Sequence, residues 1–487
     1  MKYRMIGLGT AVATLLVACA ASALATENPS RRVHQHLEAR QPGQECACDG
    51  SVLCTHLPLV LIDTGGKEIP GDPIRDENQQ KIGFTTTEDG EEMLIARIVV
   101  VDNAEVNNHP GDTAALDTAT LIRIRGNSSR HFDKKGYLLR FVDDQGSYAD
   151  QEVMGMDAHY EWALHGPYLD KSLIRNYMWY NIAGEIMDYA PNVRFCEVMV
   201  DGEYRGLYVM TETLTSGKDC RLNLTEPIEN TGKTGFLLRL DRGSTKEIKN
   251  IDTFTGYTYR NLQALDIKYP RAGKLTAELA DAIAQEFSNF EKALYSYDYD
   301  TDDYGYWHYI DADSFVDYFI LNEFTTNYDA GWLSTYVYKD VGGKYKMVIW
   351  DFNSACDNYM NSVVTPQRFE LQRNVWFIML LKDEYFCSKV LRRYEELRKS
   401  YLSDDYLNRY IDDTLAYLGG AVDRNFEVWG YTFDVNMLNP AERNPANHSE
   451  AVASLKSFIF ERGTWMDDHL ESLKQYSHES KVKKFNH

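Results

Sequence analysis

Residues 322–353 read NEFTTNYDAGWLSTYVYKDVGGKYKMVIWDFN. A helix over 311–322 ends near Asn322, and a loop then carries Asp329. Two strands follow, 334–339 and 344–350, with Gly342-Gly343 at the turn between them. The second strand delivers Asp351 at its exit. The two carboxylates lie 22 residues apart, and folding the hairpin brings both to one end of the sheet. A protein kinase uses such a layout, with one Asp before a hairpin to position the substrate hydroxyl and one after it to hold Mg²⁺. Mg²⁺ suits this because it prefers hard carboxylate oxygens. Spacing alone fits a plainer reading better, in which Asp329 is a turn residue and Asp351 caps a strand end.

Upstream, residues 122–141 read IRIRGNSSRHFDKKGYLLRF. Apolar and basic residues alternate over 121–125, as in a half-buried strand, and 137–142 is its partner. The loop from Gly126 to Ser129, with Arg125, Arg130, Lys134 and Lys135, offers backbone N–H groups and cations to a phosphate. An exposed hairpin with solvated charges is the competing reading. Neither a Walker A pattern nor G-x-G-x-x-G occurs.

Working outward, 57–63 and 93–101 read as strands, and so do 195–200 and 206–212, joined by Asp201-Gly202. Another strand covers 235–241. Helices are expected over 170–188, with Asp170 as cap and Arg175 or Asn176 tying the helix to a nearby loop, over 275–294, and through most of 376–468. The class is α+β, with a β-rich front, a mixed middle and a helical back.

The chain has 487 residues, 51 Lys plus Arg against 73 Asp plus Glu, and a formal charge of −22. So acidic a chain lacks the broad cationic surface that nucleic-acid binding requires. Its 33 tyrosines follow no repeat and read as amphipathic core and surface residues. Residues 1–26 have the layout of a signal peptide: Lys2 and Arg4, then an apolar run, then small residues. Leu16-Val17-Ala18-Cys19 also fits a lipobox, which would attach the chain to a membrane through lipidated Cys19; cleavage after Ala23 or Ala25 is the alternative. Either way the expected location is extracytoplasmic. Residues 27–56 read as a polar, Cys-containing linker, 57–120 as a β-rich region, 121–470 as the main domain and 471–487 as a polar tail. For Cys46, Cys48 and Cys54 one or two local disulfides are expected. Their C-x-C-x5-C spacing matches no standard zinc module, and His56 is the lone histidine beside them. Cys196, Cys220, Cys356 and Cys387 are isolated and read as buried apolar residues or one long-range bridge.

Over residues 57–470 the chain resembles the spore coat protein H (CotH) kinase family, the atypical secreted protein kinases. The resemblance rests on RIRGNSS (123–129) with its Lys pair, EWALHGPYLDKSLIRN (161–176), VMVDGEYRGLYVMTE (198–212), GFLLRLD (235–241) and the NEF…NYD…WDFN block. The tail pattern RRYEELRKSYL…RNFEVWG fits as well. It implies a two-lobed, protein-kinase-like fold, ATP with Mg²⁺ or Mn²⁺, and transfer to Ser or Thr of extracytoplasmic or coat proteins. Under it, Asp329 is the catalytic-loop Asp and Asp351 the metal-holding carboxylate, with Asn353 beside it. Arg125, Lys134 and Lys135 are candidates for phosphate contacts, Glu212 for a Lys–Glu pair, and Trp350 for stacking on adenine. Two positions depart from the kinase pattern: Ser334 stands where an Asn would hold a second metal, and Asn353 stands where a second carboxylate would strengthen the site. The rival from another class is a non-catalytic surface or coat protein that binds a wall polymer or a partner protein. A carboxylate-pair glycosidase is the third, but no such pair is identified.

Overall fold

A computed structural model of the chain describes residues 31–37, 46, 48–254, 256, 264–374 and 376–482. The signal segment 1–26 and Cys19 therefore lie outside the described residues. The chain forms two compact units, Met1–Val33 and His34–His487, and every element below belongs to the second.

Seven strands close a barrel. Strand β1 (Leu59–Asp63) lies between β4 (Leu94–Val101), antiparallel, and β10 (Val193–Val200), parallel. Around the rest run β5 (Leu116–Arg125), β6 (Gly136–Val142), β9 (Glu161–His165) and β11 (Glu203–Glu212), in the order β1-β10-β11-β9-β6-β5-β4. Two short ribbons, β2–β3 (Pro73–Arg75, Lys81–Phe84) and β7–β8 (Gln151–Val153, Met156–His159), lie outside it. The two-residue period of a strand sorts its side chains: Val60, Ile98, Ile122, Phe141, Trp162 and Val198 fill the interior. The β10–β11 turn is Asp201-Gly202, both at positive φ (48° and 81°), the backbone of a tight hairpin.

A five-stranded sheet follows, in the order β13-β14-β12-β15-β16, from β12 (Phe236–Asp241), β13 (Asn250–Ile251), β14 (Ala264–Tyr269), β15 (Thr335–Lys339) and β16 (Lys346–Val348). The large core joins this sheet to α1 (Arg175–Ile186), α2 (Ala277–Tyr295) and α3 (Ala312–Phe324). Thr276 and Asp311 cap α2 and α3 by accepting the N–H of Leu279 and Ser314. The back of the chain is α4 (Phe377–Leu380), α5 (Glu384–Arg398), α6 (Asp404–Leu418), α7 (Gly420–Trp429) and α8 (His448–His469). At its centre Glu323 and Arg462, both fully buried, pair at 2.8 Å; Glu323 also accepts the N–H groups of Glu370 and Leu371 at 2.7 Å each. That network fastens α3, the segment before α4, and α8 together.

The α+β class, β-rich in front and helical behind, is what the sequence implies. Three boundaries differ. The division at 120/121 falls inside β5, because β1 and β4 need β5 and β10 to bury their apolar faces. Helix α1 starts at Arg175 rather than 170: Leu173 has φ 67°, and the Asp170 carboxylate accepts from Ser172 and from the first helical N–H, that of Arg175. Within the expected linker, Gln35 exchanges hydrogen bonds with the backbone of Phe195 (3.0 and 2.7 Å), so this piece is tied to the barrel. Every described cysteine is free, so no disulfide forms among the described residues.

Candidate active site

A cavity of about 370 Å³ opens between the outer face of β5, β6 and β9 and the edge of the five-stranded sheet. Strand pleating explains its barrel wall. Ile122 and Ile124 point into the barrel, so Arg123 and Arg125 point out and line the cavity, joined by Arg140 from β6. The loop after Arg125 needs Gly126: its φ is 107°, and a Cβ there would sit 1.9 Å from the Ser129 hydroxyl. Arg130 holds that loop by donating to the carbonyls of Gly126 (2.7 Å) and Gly71 (2.5 Å).

The opposite wall is acidic. Asp241 ends β12, Asp329 sits in the loop after α3, and Asp351 follows β16; all three line the cavity, with Trp350 and Asn353. Helix α1 grips the last segment at four positions. Tyr180 accepts the Asp351 N–H at 2.9 Å, Asn176 accepts the Phe352 N–H at 2.7 Å, and Arg175 donates to the carbonyls of Ala355 (3.0 Å) and Cys356 (3.3 Å). Asn327 ties the Asp329 loop to both neighbours, donating to the Asn322 side chain and to the Asp351 carbonyl, each at 3.1 Å. These clamps hold Asp351 in the left-handed region, at φ 62°. Ser334 and Thr326 share that unusual conformation, at 49° and 44°. Such backbone persists only where the surroundings over-determine it, and it gathers at working sites.

Burial, then the nearby Asp329 carboxylate, push Asp351 up to about 6, against an opposing pull from Arg125. Burial raises Asp329 too, with Arg242 opposing and Asp241 adding to the rise. Asp351, raised by burial and then the nearby Asp329 charge, and with the neutral Asn353 side-chain oxygen in the same cavity, offers hard oxygen donors that suit a divalent cation, while Asp241 pairs with Arg242 at 3.2 Å and with Arg239 at 3.6 Å. The barrel wall supplies the opposite sign. Arg125 lies 5.6 Å from the Trp350 ring and Arg140 pairs with Glu161 at 2.6 Å, while on the sheet side Arg239 pairs with Asp266 at 2.9 Å. Although burial works against it, Arg140 and then Lys268 hold Glu161 down at about 2, so that pair stays ionised.

Of the sequence candidates, Arg125, Asp329, Trp350, Asp351 and Asn353 meet in this cavity. Lys134, Lys135 and Glu212 do not. Lys134 is buried and donates to the Leu207 carbonyl of β11 (2.7 Å) and to Asn425 of α7 (2.5 Å), because it lies just before β6 where α7 packs on β11. Lys135 pairs with Asp72 at 2.5 Å. Glu212 is buried and pairs with Arg221 at 2.6 Å, so the expected Lys–Glu pair is absent. Sequence reasoning missed Asp241 and Lys268. Asp241 ends the quoted GFLLRLD motif and was readable there as a strand-end carboxylate, whereas Lys268 lies in a strand whose pairing no local pattern announces.

The family model described as "CotH kinase protein" matches residues 122–466, which spans the β5 arginines, the acidic wall and α8. No curated protein matches the chain.

Proposed function

The chain belongs to the CotH kinase family, and from that premise we propose that it is an atypical protein kinase moving the ATP γ-phosphate to Ser or Thr of extracytoplasmic or coat proteins. The observation that carries this reading is the pairing of walls: Asp241, Asp329 and Asp351 face Arg123, Arg125 and Arg140 across one cavity. A triphosphate needs cations on its oxygens, and a transferred phosphoryl group needs a base and an in-line nucleophile. Arg125 and the Gly126–Ser129 backbone bind and orient the phosphates. Trp350, with Arg125 over its ring, presents a flat apolar face at the cavity wall. Asp329 accepts the proton of the substrate hydroxyl, and burial raises its proton affinity, which favours that transfer. Asp351 and Asn353, with Asp241 nearby, would hold Mg²⁺ or Mn²⁺, which supplies charge neutralisation between phosphate oxygens when bound. The two-lobed kinase plan is part of the proposal, with the barrel as one lobe and the helical back as the other. So is export, which the apolar N-terminal segment and its lipobox support.

The test is phosphate incorporation read by mass spectrometry, with ATP and Mg²⁺ or Mn²⁺, for the wild type beside Asp351→Ala. Phosphorylated Ser or Thr in the wild type alone is expected. Equal incorporation in both would overturn the assignment of Asp351. No transfer by a folded wild type would move the reading to a binding role, to which Ser334 already leans, since its hydroxyl is a weak ligand at the second-metal position.

A further inference from the structure

Three cysteines and one histidine meet far from the acidic cavity. One ligand atom from each of Cys46, Cys48, Cys54 and His109 lies within 4.8 Å of all the others. The Cys46 Sγ and His109 Nε2 atoms are 3.3 Å apart. A tetrahedral zinc ion with bonds of about 2.3 Å to sulfur and about 2.0 Å to nitrogen spaces its ligand atoms roughly 3.5–3.8 Å apart. The four groups therefore need to close by little. The histidine that completes the set is not His56, whose Nε2 meets the Tyr417 carbonyl at 2.5 Å, but one 55 residues beyond Cys54, in the β4–β5 connection.

The surroundings are built for it. The His109 Nδ1 lies 2.9 Å from the Asp112 carboxylate, which also accepts the His109 backbone N–H at 2.8 Å. A proton held between Nδ1 and Asp112 leaves the Nε2 lone pair facing the sulfurs, the arrangement that orients a metal-binding imidazole. The Asn107 side chain donates to the Cys54 Sγ at 3.3 Å. Between Cys48 and Cys54 the chain reverses at Gly50 (φ 74°), with the Ser51 N–H held by Asp49 at 2.9 Å. The two halves of the site are locked together without any ion. Thr55 and Asn108 exchange backbone hydrogen bonds of 3.1 and 2.7 Å, and the Asn108 side chain donates to the Leu57 carbonyl at 2.9 Å.

We propose that Cys46, Cys48, Cys54 and His109 form a structural zinc site that fastens the segment before β1 to the β4–β5 connection. Three thiolates and one neutral imidazole are a closed, soft donor set with no position left for water, which marks a structural role and favours zinc over magnesium or calcium. The free state of all three cysteines agrees with this, where a disulfide would remove two of the four ligands.

The experiment is metal analysis of the full chain purified without chelator, with disulfide mapping by mass spectrometry on the same material. The expected result is one zinc per chain, all three thiols unoxidised, and Co²⁺ exchange giving the intense visible bands of a tetrahedral cobalt–thiolate centre. Cys48→Ser and His109→Ala should each lose the metal, and Asp112→Asn should weaken zinc binding about 10–100-fold while keeping one site. A Cys–Cys crosslink among these three, or absence of stoichiometric metal and of cobalt uptake in the wild type, overturns the proposal without any variant having to fold. Zinc retained by both ligand variants overturns it as well.

Discussion

Replacing Asp351 by Asn should abolish phosphate transfer and yet make the protein more stable. The carboxylate stands at about 6 against an ordinary 3.8, because burial and the Asp329 charge disfavour its ionised form. That rise means the ionised group costs about 3 kcal/mol, and solvent screening in an open cavity reduces the figure to about 2 kcal/mol. The sign follows from proton binding. Between pH 3.8 and about 6 the folded chain holds a proton that the unfolded chain has released, so stability falls as pH rises through that window. Below it the cost vanishes; above it the cost is complete. The carboxamide of the Asp351→Asn variant cannot ionise, keeps a side-chain oxygen for the Asn353 N–H, and an Asn tolerates the φ of 62° as readily as Asp does. The assay is urea denaturation of wild type and Asp351→Asn, without added nucleotide or Mg²⁺, at pH 8 and pH 4. The variant should be more stable by about 2 kcal/mol at pH 8, with the gain shrinking towards zero at pH 4. A variant less stable at pH 8, or a gain independent of pH, would refute the carboxylate cluster as the source of the shift.

Arg125→Ala should weaken nucleotide binding about tenfold or more by removing a cation from the cavity wall, whereas Lys135→Ala, whose amine pairs with Asp72 outside the cavity, should leave it within about twofold; calorimetric titration with ATP and Mg²⁺ separates the two. Glu323→Ala should destabilise the chain by about 3–5 kcal/mol, since it leaves Arg462 charged and unpaired in the core and orphans two backbone N–H groups; the change in denaturation midpoint measures this.

Residue pattern announced much of this molecule. Over 121–125 apolar and basic side chains alternate, and that alternation separates the barrel interior from the cavity wall. The NEF…NYD…WDFN block placed Asp329 and Asp351 at one end of a hairpin, where they stand. What stayed hidden depended on pairing between distant segments. Residues 264–269 become β14 only because β12 offers an edge, and 161–165 become β9 between β6 and β11. Lys134 has the charge of a phosphate ligand, and only the position of α7, nearly 300 residues later, shows it bonded to Asn425 instead. The histidine facing the three cysteines was hidden for the same reason, since no spacing rule joins residue 54 to residue 109.

The parallel pairing of β1 with β10 sets a schedule for the growing chain. Leu59 finds its neighbour at Glu197, 138 residues later. At about 5–20 residues per second, synthesis leaves that apolar edge unmatched for roughly 7–28 s. During that interval β1 and β4 form a sticky, half-finished sheet whose free rim is open to any passing strand, and holding it apart falls to whatever attends the chain as it emerges.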